Sequence, residues 1–213
     1  MKKAVITADI VQSSKIPLEQ REWILVEIQE KLQSLSQYSS EIQSEIFRGD
    51  SFQCQLNPRL GLRTAILLKT YIKSLEIDQN SNLKNLVDVR ISIAVGNVAY
   101  ASPKLSLSDG EAFHLSGRRL DELKKQKMTF AIGTDDTFND ELAIEGILLD
   151  LILSKTTSSQ CQVLHKKLQG LTETKIANEL KIKQSAVNQR SIASGWHAID
   201  ALLKRFETIY KDA

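Results

Sequence analysis

The sequence predicts an α+β sandwich, with helices on one face of a mainly antiparallel sheet, followed by an all-α segment. Three observations carry this expectation. Strand-like and helix-like patterns alternate over residues 1–134 in the order β-α-β-β-α-β-(α-β). After Thr134 only helical patterns remain. The charge also changes sign: from Lys155 onward ten Lys or Arg face five Asp or Glu, which leaves 18 basic and 21 acidic residues before it. Three segments are therefore expected: an α+β domain over 1–134, a connecting helix over 135–155 and a basic helical domain over 156–213.

The elements follow in order. Residues 3–9 form a β-rich run ending on Asp9, a carboxylate at the mouth of a buried strand. A buried charge without a partner is costly, so Asp9 must be paired, solvated or bound to a cation. "PLEQREWILVEIQEKLQSL" places Trp23, Val26 or Glu27, Glu30 and Leu32 at helical spacing behind Pro17, which suits an early helical position. "EIQSEIFRGDSFQCQL" reads as a hairpin around Gly49–Asp50, a pair suited to a tight primed turn. "PRLGLRTAILLKTYIKSL" is a second helix and "VDVRISIAVGNVAY" the clearest buried strand. "GEAFHLSGRRLDELKKQ" is a third helix and "MTFAIGT" a closing strand. Strands near 3–9, 44–48, 51–56 and 88–95 should share one sheet, with Asp9 and Asp50 side by side at one end. "DDTFNDELAIEGILLDLILSK" is apolar enough to pack between two modules, and "TTSSQ" supplies the joint.

A chain of 213 residues can bury a sizeable core. Its two cysteines, Cys54 and Cys161, have neither a disulfide framework nor metal spacing. With no signal peptide and no long apolar span, a cytoplasmic chain without membrane contact is expected.

The most specific motif is "LTETKIANELKIKQSAVNQRSIASGWHAIDALLKRFETIY". Ile176, Leu180, Ile182 and Val187 supply a small core, Ala177 sits where two helices approach closely, and "KIKQ" is a short turn. That spacing is the spacing of a helix-turn-helix. The segment resembles the helix-turn-helix of bacterial regulators, "IAxxLxIxQxxVxxR", with Lys181 where a turn glycine is usual. The resemblance implies DNA as partner. Gln184, Ser185, Asn188 and Gln189 would then read bases or phosphates, and Lys181, Lys183 and Arg190 would contact phosphates. A tri-helical unit serving protein contacts is the alternative. One long helix is expected from Gln184 to Tyr210. Its stripe through Ile192, Trp196, Ile199, Leu203 and Phe206 predicts a homodimer seam.

Asp9, Asp50 and the paired arginines of the third helix suggest a second site. Magnesium or manganese takes oxygen ligands, typically one or two carboxylates plus substrate phosphates. Asp9, Asp50 and the Ile10 carbonyl could supply them, with an arginine opposite to neutralise phosphate. The structural alternatives are a helix cap at Asp9, an Asp9–Arg48 pair, a plain turn at Asp50 and a solvated face at Arg118 and Arg119.

"ADIVQSS", "RGDSF", "VRISIAVGNV" and "GEAFHLSGRRL" also resemble, in order and spacing, the class III nucleotidyl cyclase catalytic domain over residues 3–133. That resemblance implies a cyclase-like (ferredoxin-like) sandwich, metal-binding aspartates at Asp9 and Asp50, and a transition-state arginine at Arg118. The family's asparagine falls on His114, its base-reading lysine on Ile46 and its base-reading aspartate on Leu107. The metal half of the site is therefore matched and the purine-reading half is not. The whole chain resembles the SatD family of bacterial proteins. The implied function is a DNA-binding regulator whose first module senses a nucleotide or phosphate ligand. The alternatives are a magnesium-dependent nucleotide-processing enzyme and a degenerate structural dimer. If a metal sits between Asp9 and Asp50, Asp9→Asn should leave the metal-free fold as stable as before, or more so.

Overall fold

The computed structural model describes residues 1–38, 41–47, 49–75 and 87–213. Strand β1 (Lys2–Ile10) sends Ala4, Ile6, Ala8 and Ile10 into the main core and Val5, Thr7 and Asp9 to the opposite face. Helix α1 (Leu18–Tyr38) covers the first of these faces with Ile24, Ile28, Leu32 and Leu35. Trp23 and Val26, expected on that side, are 39% and 52% exposed. Their row runs on into Glu30, whereas the Ile24–Leu35 row is apolar at every helical step, so the helix turns that row inward.

Strands β2 (Gln43–Phe47) and β3 (Ser51–Leu56) form the expected hairpin. Pairing closes at Phe47–Ser51, one residue wider than a two-residue turn, with Gly49 at φ 71°. Only glycine enters that left-handed region without cost. Arg48 lies outside the described residues. Helix α2 (Gly61–Ser74) returns over the α1 face, and β4 (Val89–Tyr100) pairs with β1. The order β2-β3-β1-β4, antiparallel throughout, is the ferredoxin-like arrangement. A two-residue β5 (Asp109–Gly110) adds to β4, as does β6 (Phe130–Thr134), which runs parallel to it.

Helix α3 (Glu111–Gln126) is the crossover that a parallel β4–β6 pair requires. It covers the second face: Ala112 and Phe113 pack on Val5, and the Ser116 and Thr7 hydroxyls meet at 2.8 Å. Helices thus cover both faces, which corrects the expected one-sided arrangement. Both rows of β1 are buried from Ala4 to Ile10, and α3 supplies the cover of the second.

Helix α4 (Asn139–Lys155) lies on β6 through Leu142, Gly146, Leu149 and Leu153. A Cβ at Gly146 would stand 2.9 Å from the Ile132 nitrogen, so only glycine permits this approach. Helix α5 (Ser158–Leu168) opens on a reciprocal Thr157–Gln160 capping box and runs along α2. Helices α6 (Glu173–Leu180) and α7 (Gln184–Ala193) flank the three residues 181–183. Val163, Ile176, Ala177 and Val187 give α5, α6 and α7 a small core of their own.

The expected long helix is two helices. Gly195 takes φ 71° and separates α7 from α8 (Trp196–Ile209). Ile199, Leu203 and Phe206 enter the main core together with Tyr210. The stripe read as a dimer seam is therefore buried within the chain, and only Ile192, 71% exposed, stays outside. No helix among the described residues is long and apolar enough to cross a membrane.

Candidate functional site

The register of β1 with β3 sets Asp9 opposite Ser51, and the Ile10 amide donates to the Asp50 carbonyl at 3.0 Å. Asp9 and Asp50 thus lie at one end of the sheet, as expected. Their carboxylates have separate partners. Asp9 Oδ1 accepts from Arg90 Nη1 at 3.2 Å and its Oδ2 faces Lys124 Nζ at 3.0 Å. Asp50 Oδ2 accepts from Ser13 Oγ at 2.7 Å and Oδ1 from Ser51 Oγ at 3.2 Å. Of the three fates open to the Asp9 charge, pairing is the one observed. It is no helix cap either, since the 3-10 turn Ser13–Lys15 is preceded by Gln12.

Sequence reasoning missed both partners of Asp9. Arg90 is its cross-strand neighbour on β4, on the same face. Lys124 comes from the last turn of α3, where nothing in the local pattern points back to β1. Beneath α3 the same face continues as a polar row. Gln53 Nε2 donates to Thr7 Oγ1 at 3.0 Å, and the Ser92 hydroxyl is buried without a partner among the described residues.

This donor set, as arranged, does not fit magnesium or manganese. Both Asp9 oxygens already face cationic side chains, and Asp50 accepts from two hydroxyls. A divalent ion would have to displace Arg90 or Lys124. Among the described residues no three His, Cys, Asp or Glu side chains converge on one point.

Arg118 and His114 stand on the outer surface of α3. Arg118 Nη2 donates to Glu111 Oε1 at 2.7 Å, and His114 Nε2 lies 2.7 Å from Asp109 Oδ1. Within one chain neither is paired with Asp9 or Asp50. Arg118 is six residues before Lys124, about 9 Å along the helix. Arg119 reaches Glu122 at 3.4 Å, Ile46 packs at the edge of the core, and Leu107 is exposed.

The C-terminal candidates lie on α7 and in the turn before it. Gln184, Ser185, Asn188 and Gln189 are exposed on α7 opposite buried Val187. Lys183 precedes the first turn of α7 and provides no side-chain cap. Lys181 takes φ 53°, the left-handed position where the resembling pattern has glycine. The turn closes through the Ile182 amide, which donates to the Ala177 carbonyl at 3.0 Å. Arg190 is half-buried. Neighbouring acids face the other way: Glu173 pairs with Lys167 at 2.9 Å, and Glu179 with Lys166. Among the described residues no acid pairs with Lys175, Lys181, Lys183 or Arg190.

A titratable group joins the C-terminal helices to the sheet layer. His165 of α5 is buried between α1 and α2, 2.9 Å from Lys31 Nζ at Nε2 and 3.1 Å from the Leu67 carbonyl at Nδ1. An ammonium can only donate, so Nε2 accepts and Nδ1–H donates, which is the neutral tautomer. Burial first, then the Lys31 charge, lowers its pKa to about 3.

No family model matches the sequence, and no curated protein matches it. Solved structures align with part of the chain. A bacterial light-regulated adenylyl cyclase aligns with 62% of this chain and 74% of its own, at 14% identity and a TM-score of 0.48. The GGDEF domain of DgcB from Caulobacter crescentus, solved with c-di-GMP, aligns over 64% and 77% at 10% identity and 0.47. The adenylyl cyclase CyaB from P. aeruginosa aligns over 61% and 83% at 13% identity and 0.41.

Proposed function

We propose that the chain is a DNA-binding regulator that uses α6 and α7 as a helix-turn-helix, α7 being the recognition helix. One observation carries the reading. The surface of α7 presents four exposed hydrogen-bonding side chains, flanked by basic residues that no acid neutralises among the described residues. Phosphates attract unpaired lysine and arginine, while Gln, Ser and Asn have the donor and acceptor pairs that read base edges. The amides opening α7 add a site for one phosphate.

The cyclase-like domain then acts as the sensor, and its ligand is a nucleotide or other phosphate compound meeting the Asp9 end of the sheet. The pairing of Asp9 with Arg90 and Lys124 favours this over metal-dependent turnover, because it occupies both oxygens of Asp9.

Titrating fluorescent duplex DNA with the protein at several salt concentrations tests the reading. Affinity should fall steeply with salt, and Lys183→Ala should reduce the logarithmic slope by about one. Asn188→Ala and Gln189→Ala should weaken binding to a selected sequence more than to random duplex. Affinity independent of salt, or unchanged in all three variants, overturns the assignment.

A further inference from the structure

We infer that two copies of this chain pair through the outer face of α4, antiparallel about a twofold axis between Ile147 and Leu148. This surface is distinct from the α7–α8 stripe, which the fold buries, and the inference does not depend on the DNA-binding reading.

The outer face of α4 is a continuous apolar stripe. Ile144, Ile147, Leu148 and Leu151 are 60%, 56%, 56% and 52% exposed. Their i, i+3, i+4, i+7 spacing puts them on one side of the helix, opposite Leu142, Gly146, Leu149 and Leu153, which seat it on the sheet. The helix is therefore apolar around most of its circumference, although one side alone is buried. Four large aliphatic side chains in a row form a patch of the size that marks interaction sites.

The occupant follows from the order of residues along the stripe. Reversing α4 about the midpoint of 147 and 148 sets Ile144 against Leu151 of a second copy and Ile147 against its Leu148. The same operation sets Asp140 against Lys155, at the two ends of the helix and on the same exposed side. Apolar residues thus meet apolar residues, and each end places an acid against a base. Neither Asp140 nor Lys155 has an ion-pair partner among the described residues. Antiparallel alignment also brings the positive end of each helix dipole to the negative end of the other. A twofold interface has to be self-complementary in this way, because the same surface serves both sides.

A groove beside the stripe supplies the hole for a knob. It lies between α4 and α8, has a volume of about 390 Å³, and is lined mostly by apolar residues including Leu148, Ile152, Ala198 and Leu202. Leu148 belongs to both features, so a side chain of the partner helix that passes Leu148 enters the groove.

Sedimentation equilibrium of the full chain at micromolar concentration tests the pairing. The wild type should be a dimer. Leu148→Glu, at an exposed position, should keep its circular dichroism and melting temperature while the dimer dissociation constant rises by about tenfold or more. Asp140→Lys and Lys155→Asp should each weaken the dimer, and the two together should restore it. Ile147→Cys, in a chain whose native cysteines are both buried, should cross-link rapidly on oxidation, since the axis passes beside this position. A monomeric wild type overturns the inference. So does a dimer indifferent to Leu148→Glu, which would place the interface elsewhere. Failure of the double charge reversal to restore the dimer overturns the antiparallel register.

Discussion

At the mouth of β1 and on the face of α7 the protein clusters charge, and the two places dispose of it differently. Asp9 is nearly buried and meets two cations from distant parts of the chain, Arg90 on β4 and Lys124 on α3. On α7 the basic residues are at the surface, and the acids next to them are committed to α5. The first cluster closes on itself and contributes to the fold. The second is left open and contributes little to it. A motif match records which charges are present, whereas availability to a ligand depends on what else the fold brings near. Substitution should therefore separate the two clusters by the quantity that changes.

The largest effect should come from acid at the joint between the two parts. His165 is neutral in the folded chain with a pKa of about 3, while in the unfolded chain it takes a proton near the ordinary histidine value of 6.5. Between those values the unfolded state binds more protons, so stability rises with pH and is lost as pH falls. The slope should approach about 1.4 kcal/mol per pH unit below 6.5. Urea titrations at stepped pH read it, and His165→Gln should flatten the curve in that window. An equally steep curve in the variant would assign the slope to other groups.

Next in size is Asp9→Asn, which strands Arg90 and leaves Lys124 without its carboxylate. A loss of about 2–4 kcal/mol is expected, less than for a fully buried pair because Lys124 reaches solvent. This reverses the sign expected when Asp9 is taken to face Asp50 across a metal. A denaturation midpoint at or above that of the wild type would restore the metal view. The smallest change in stability, within about 0.5 kcal/mol, belongs to Lys183→Ala and Gln189→Ala, surface substitutions whose effect should fall on DNA affinity alone. Substantial unfolding in either would mean that the α7 surface is structural after all.

Much of the sheet was legible because period-two alternation is a local signal, as was the turn at Gly49. The missed parts depend on long-range contacts. Lys124 is far from Asp9 in sequence, and no spacing rule connects them. Arg90 was visible at the head of a strand, but its role depends on the β1–β4 register. Helix α1 turned on Ile24 rather than Trp23 because the row completed by Leu35 outweighs one large aromatic. The break at Gly195 had its cue in the glycine itself, yet apolar spacing continued across it and suggested one helix. The two helical runs either side of residues 181–183 were legible, while the pairing of the acids of α6 with α5 required coordinates.

Helix α2 is buried along most of its length, including Lys69, whose ammonium reaches Asp88 Oδ1 and the Val89 carbonyl at 2.7 Å each. One side lies on the strands, and α5 and α8 pack against it from the C-terminal segment. Removing those helices would expose apolar surface that the remainder cannot cover, so the boundary between roles is not a boundary in cooperativity. Calorimetry should accordingly show one transition, with equal calorimetric and van't Hoff enthalpies. Two resolved transitions would show that the helices melt on their own. A single transition makes the whole chain the unit that folds, with α2 packed between the strands and the helices beyond them.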